Sequence, residues 1–178
     1  CLEEAGIKAA DLSCVAYYDK PVLTFSRLLQ TYLEYPFQSY GSFKRAIPLW
    51  IKQKLKMPKV IEESIPGFQG DIFFSRHHES HAASAFFCSP FEEAAIVIAD
   101  GVGEWATASI GEGHGNRIRL IKELRFPHSI GLFYSAMTQY LGFEVNSDEY
   151  KVMGLAPYGE PKYLDKLLGR VLDLKEDG

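Results

Sequence analysis

Asp71-Ile-Phe-Phe-Ser-Arg-His-His-Glu-Ser-His-Ala-Ala-Ser-Ala-Phe86, followed by Ala94-Ala-Ile-Val-Ile-Ala-Asp-Gly-Val-Gly-Glu104, holds the decisive pattern of this 178-residue chain. Ile72-Phe-Phe74 is a short apolar run that reads as a buried strand. The alanine-rich run that follows the histidines favours helix. Ala94 to Ala99 is a second buried strand, closed by Asp100 and two glycines. Strand, helix and strand in succession predict an α/β domain.

The same stretch carries the chemistry. On a helix, His77 and His81 lie at i and i+4 and share a face. Neutral imidazoles so placed can donate to one cation. His78 and His81, at i and i+3, could also converge, and spacing leaves both registers open. Asp100 ends a strand beside a glycine turn, where open α/β sheets place ligands. Two histidines and a carboxylate suit Fe2+, Zn2+ or Mn2+. The zinc-protease pattern is absent, since one residue separates Glu79 from His81 where that motif needs two. Gly101, Val102 and Gly103 can turn tightly and bring backbone N–H groups to an anion. No Gly-Lys-Ser/Thr follows, so this is not a Walker loop.

Outward from this core, Cys1 to Gly6 reads as the end of a helix stopped by Gly6. Cys14 to Tyr18 is a strand, Val22 to about Tyr35 a helix, and Ser42 caps a second helix to about Leu55. Thr107 to Gly111 and Arg117 to Leu124 form a meander across the turn-rich Gly111 to Asn116. Ser129 starts a helix to about Leu141. Asn146 to Pro157 is irregular, with Asp148, Lys151 and Tyr158 suited to a polar ligand. Pro161 opens a last helix to about Leu174. His114 is expected at the surface, and His128 in a capping or packing role.

Composition sets the outer bounds. With 47% hydrophobic residues the chain can bury a core, and its net charge of −4 gives no footprint for nucleic acid. No apolar run approaches the ~20 residues of a membrane span. Three cysteines without ligand spacing fit a reducing, cytoplasmic setting, with Cys14 and Cys88 expected in the core. The first residue is Cys1, and the chain is expected to be a piece of a longer protein.

Four stretches together resemble the nodulation-protein-U-type carbamoyltransferases, which include enzymes of aminoglycoside and cephamycin tailoring. They are His77 to Phe86, Asp100 to Glu104, Ser129-Ile-Gly-Leu-Phe-Tyr134 and Lys151-Val-Met-Gly-Leu-Ala-Pro-Tyr-Gly159. The resemblance runs in order over nearly the whole chain. It implies an actin-like ATPase fold (ribonuclease H-like, shared with sugar kinases and Hsp70), present in part. Residues 1–178 would be the central part of an N-terminal Kae1-like domain. A preceding hairpin and a following YrdC-like domain would lie outside it.

The resemblance further implies a divalent metal, commonly iron, on His77, His81, Asp100 and a later Asp beyond Gly178. It implies ATP and carbamoyl phosphate converted to carbamoyl adenylate by the YrdC-like domain. The carbamoyl group would pass to a hydroxyl of a small-molecule or glycan acceptor. Gly101, Val102, Gly103 and Lys151 would face the nucleotide, and a second copy of the chain could complete a homodimer. The acceptor base is expected in the missing hairpin, so no catalytic residue is assigned and the piece alone is not expected to turn over. Threonylcarbamoyl transfer to tRNA and a non-catalytic nucleotide-binding module are the alternatives.

Overall fold

Leu2–Ala5 forms a single helical turn, α1, which Gly6 ends at φ 66°, a left-handed conformation that glycine adopts without strain. The computed structural model describes residues 1–175. Strand β1, Cys14–Tyr17, follows, and helix α2, Pro21–Glu34, starts on a proline whose fixed φ suits a first helical turn. Pro36 does the same for α3, Pro36–Lys52. The second helix therefore begins six residues before the expected Ser42. Aromatic pairs join α2 to α3: Phe25 lies 6.0 Å from Trp50, and Tyr32 meets Phe43 edge-on at 5.2 Å. A short helix not foreseen in the sequence, α4, spans Met57–Ser64 and buries Met57 and Ile61.

Strand β2, Asp71–Phe74, pairs in parallel with β1, Cys14 standing opposite Asp71. Strand β2 is not buried as its apolar run suggested, because this two-stranded sheet leaves alternate residues such as Phe73 exposed. Cys14 is exposed on it. Cys88 is also exposed, so the expected core thiols are corrected.

Helix α5, His77–Phe86, leads into β3, Glu93–Ala99, then β4, Ala106–His114, and β5, Arg117–Arg125. These three strands form an antiparallel sheet in the order β3-β4-β5. The stretch Gly111 to His114, expected as loop, continues β4, and only Gly115 and Asn116 make the turn. Gly113 stands there because α5 lies close: a Cβ on it would sit 2.6 Å from the Phe86 ring, while one on Gly111 would sit 2.5 Å from the Arg119 carbonyl oxygen of β5. Ala82, Phe86, Ile96 and Ile98 form the core between α5 and one face of the sheet, with Ala94, Ile118 and Leu120 around it. The other face is open. Val97, expected in a wholly buried strand, is 78% exposed.

The chain divides into two units, Cys1–Leu132 and Phe133–Gly178. Helix α6, Ile130–Tyr140, crosses the division. In the second unit α7, Glu149–Leu155, and a 3-10 turn, Ala156–Tyr158, replace the expected irregular segment. Asp148 precedes α7 and Glu149 opens it, as suits a helix N-terminus. The Tyr134 hydroxyl donates to the Glu149 carbonyl, and Ser135 to its carboxylate. The last helix, α8, spans only Leu164–Arg170 and is shorter than expected. Taken together, the class is mixed α/β.

Phe86 fills the largest share of a small core. Phe86→Ala is expected to lower unfolding free energy by about 3 kcal/mol. Urea denaturation of parent and variant, with unchanged slope, checks this.

Candidate metal centre

Two faces of α5 do different work. Residues four apart stack on one stripe, so His78, Ala82 and Phe86 all point into the sheet, and all three are buried. His77 and His81 lie one residue round from that stripe and face the turn after β3. Their Nε2 atoms are 3.1 Å apart. In the fold His77 and His81 form the outward pair, and His78 belongs to the inner stripe.

Asp100 comes directly after β3 and meets the pair. Its Oδ2 is 2.9 Å from His77 Nε2 and 3.8 Å from His81 Nε2. Its Oδ1 accepts the Gly101 N–H at 2.6 Å, which fixes the carboxylate's plane. The three ligand atoms lie within 4.8 Å of one another. Three facial ligands at about 2.1 Å from one cation stand about 3.0–3.4 Å apart. Separations of 2.9, 3.1 and 3.8 Å bracket that value. Asp100 Oδ2 is buried and lacks a well-directed hydrogen bond, as befits an atom kept for another partner. The residues therefore fit a divalent cation.

Glycines allow the approach. A Cβ on Gly103 would come within 3.0 Å of His77 Cβ, and one on Gly131 within 2.3 Å of the Asp100 carbonyl oxygen. The Gly103 N–H is used by the Ala106 carbonyl and the Gly101 N–H by Asp100. Gly103 thus lies beside His77 and Gly101 beside Asp100, with both N–H groups already engaged. Lys151 and Asp148 lie in the second unit and pair with each other at 2.8 Å, while Tyr158 is exposed there. His114 is at the surface as expected, against Glu93 at 2.8 Å. His128 lends its carbonyl to the Thr107 hydroxyl.

Glu104 is the residue sequence reasoning undervalued. Its buried carboxylate accepts the His77 N–H at 3.0 Å and the Lys20 N–H at 3.1 Å. The first bond satisfies an otherwise orphaned donor at the start of α5. Its carbonyl accepts from the buried Arg27 Nε at 2.6 Å. A signal existed in the acid four residues after Asp100, but its partners lie 27 to 84 residues away. Burial pushes the Asp19 carboxyl above its ordinary value, and the nearby Glu104 charge adds to this.

The family described as Carbamoyltransferase N-terminus matches residues 1–178. The uncharacterized protein sll1178 of Synechocystis sp. is 50% identical over 186 residues, covering all of this chain and 30% of the relative. Nodulation protein NolNO of Sinorhizobium fredii is 35% identical over all of this chain and 25% of its own length. Nodulation protein NolO of Bradyrhizobium diazoefficiens is 40% identical over 57% of this chain and 18% of its own length. The chain thus spans less than a third of each of these relatives.

Asp19 gives a pH prediction. Its folded pKa is raised, so its ionisation destabilises the fold as pH rises through that raised value; below the unfolded value the effect vanishes. Asp19→Asn keeps an oxygen for the Thr24 hydroxyl, which donates to Asp19 Oδ1. The variant is expected to melt higher than the parent at pH 7, with the gap closing as pH falls below the usual carboxyl range. Thermal melts across that range check it.

Proposed function

The chain belongs to the carbamoyltransferase N-terminus family, and on that premise we propose that it forms the metal-holding part of an O-carbamoyltransferase. One observation carries the reading: His77, His81 and Asp100 bring two imidazole nitrogens and a carboxylate oxygen within 4.8 Å. These residues would hold a divalent cation, Fe2+ before Zn2+ or Mn2+. Bound there, it supplies Lewis acidity toward a carbamoyl or phosphate oxygen.

The remaining chemistry follows from the group transferred. An acceptor hydroxyl oxygen bonds to the carbamoyl carbon, the bond from that carbon to the phosphate oxygen breaks, and the hydroxyl proton leaves to a base outside this chain. The donor in this reading is carbamoyl adenylate, made from carbamoyl phosphate and ATP by a YrdC-like domain. The departing group is AMP. The Gly101 N–H holds Asp100 in register, and Glu104 holds the helix start that carries His77. Gly101, Val102 and Gly103 are proposed for the nucleotide side. A net charge of −4 favours a small-molecule or glycan acceptor over tRNA. Among the described residues no helix is long and apolar enough to cross a membrane, and a cytoplasmic setting is part of the proposal.

The test uses the native protein and its His77→Ala and Asp100→Ala variants. The parent is expected to hold metal by elemental analysis, and each variant to bind it at least about 100-fold more weakly. With carbamoyl phosphate, ATP and a panel of hydroxyl acceptors, the parent should release pyrophosphate and yield a carbamoylated product. Equal metal in all three proteins would remove the site. Absence of carbamoyl-phosphate-dependent pyrophosphate with every acceptor would remove the reaction.

A further inference from the structure

Among the described residues, two buried side-chain polar atoms lack a hydrogen bond, His78 Nε2 and Asp100 Oδ2. They face each other at 3.9 Å. On the far side of the ring, His78 Nδ1 is 2.7 Å from Ser109 Oγ. Both residues are buried on the inner face between α5 and β4. Ser109 has one hydroxyl hydrogen, and leaving it without an acceptor away from water is costly. His78 Nδ1 is the acceptor the structure places beside it. A neutral ring that accepts at Nδ1 carries its hydrogen on Nε2.

We propose that His78 is a positioning residue and not a metal ligand: Ser109 fixes its ring with hydrogen on Nε2, and that N–H steers the Asp100 carboxylate. The inference rests on the metal-holding reading of His77, His81 and Asp100. It assigns each oxygen of Asp100 a separate guide, a hydrogen bond from the Gly101 N–H for Oδ1 and, for Oδ2, the electrostatic pull of the His78 N–H across 3.9 Å. Oδ2 keeps a second lone pair for the cation. The reverse tautomer would aim an Nε2 lone pair at the same point, supplying a third nitrogen ligand, and would leave the Ser109 hydrogen with no acceptor. Orientation of this kind by groups behind the ligands sets affinity as well as geometry.

Two measurements test this. The first needs no substitution in the protein observed. Long-range proton–nitrogen correlation on the metal-free native protein, labelled with 15N-histidine, reads the tautomer, with His78→Gln identifying the signal. Hydrogen on Nε2 is expected, and hydrogen on Nδ1 overturns the proposal. The second is Co2+ titration read by visible absorption. His78→Gln, whose amide N–H replaces the ring N–H, is expected to keep the parent's band shape and affinity. His78→Leu should keep the band shape but bind about 10–100-fold more weakly. His77→Gln, a ligand change, should alter the bands. Altered bands in His78→Gln, or parent-like affinity in His78→Leu, overturn the positioning role. A parent that takes up no Co2+ overturns the cradle itself, while the metal-free tautomer still decides whether Ser109 fixes the ring.

Discussion

The carboxylate of Glu104 is the tie on which the first unit depends. It gathers the start of α5 and the start of α2 onto the turn between β3 and β4, through backbone N–H donors of His77 and Lys20. The same residue's carbonyl receives Arg27, whose guanidinium also lies 5.2 Å from the Phe126 ring. A buried acid is stable only when its lone pairs are satisfied. Here they are satisfied by donors that would otherwise be unpaired at helix ends. Strain or slack at this point would pass directly to the histidines, because His77 is both the capped residue and the one in contact with Asp100.

The division of labour on α5 follows from helical geometry. A stripe of His78, Ala82 and Phe86 seals the helix to the sheet, and the neighbouring stripe presents His77 and His81. The sheet is shaped to receive this. Gly113 yields space to the Phe86 ring, and Ser109 meets the one polar member of the inner stripe. Orientation of the outer pair is thus a by-product of core packing. An open apolar groove along Leu29, Tyr32, Leu33, Pro36 and Phe43 lies away from this centre and has no polar convergence comparable to it.

What could be read from the sequence was what local spacing encodes. The i, i+4 pair, the strand-terminal Asp100 and the succession of strand and helix from Asp71 to Ala99 all depend on near neighbours. So did the stop at Gly6. Contacts of longer reach were missed: the inner role of His78, the grip of Glu104 and the crowding that requires Gly131. Periodicity cannot show them, since each is defined by a partner in another element. Local chemistry was misjudged in places too. Glycines at 111 and 113 read as loop because the neighbours that leave no room for a side chain, Arg119 and Leu120 for Gly111 and the Phe86 ring for Gly113, lie in other elements. Apolar strands were taken as doubly covered, whereas one face of each small sheet is open, which is why Cys14, Phe73 and Val97 are exposed. Pro36 opens a helix between the two expected ones, and Glu149 opens one inside the stretch expected to be irregular.

The span of chain between bonded groups also orders the molecule in time. His77 to Glu104 closes a loop of 27 residues and His78 to Ser109 one of 31. Lys20 to Glu104 closes one of 84. The longer closure costs about 1 kcal/mol more in chain entropy. The α5–sheet segment can therefore collapse first around its own short loops, and the arm bearing β1 and α2 docks onto it afterwards. Glu104 then acts as a latch with two catches of unequal reach. The far catch can open while the near one still holds the histidines against Asp100.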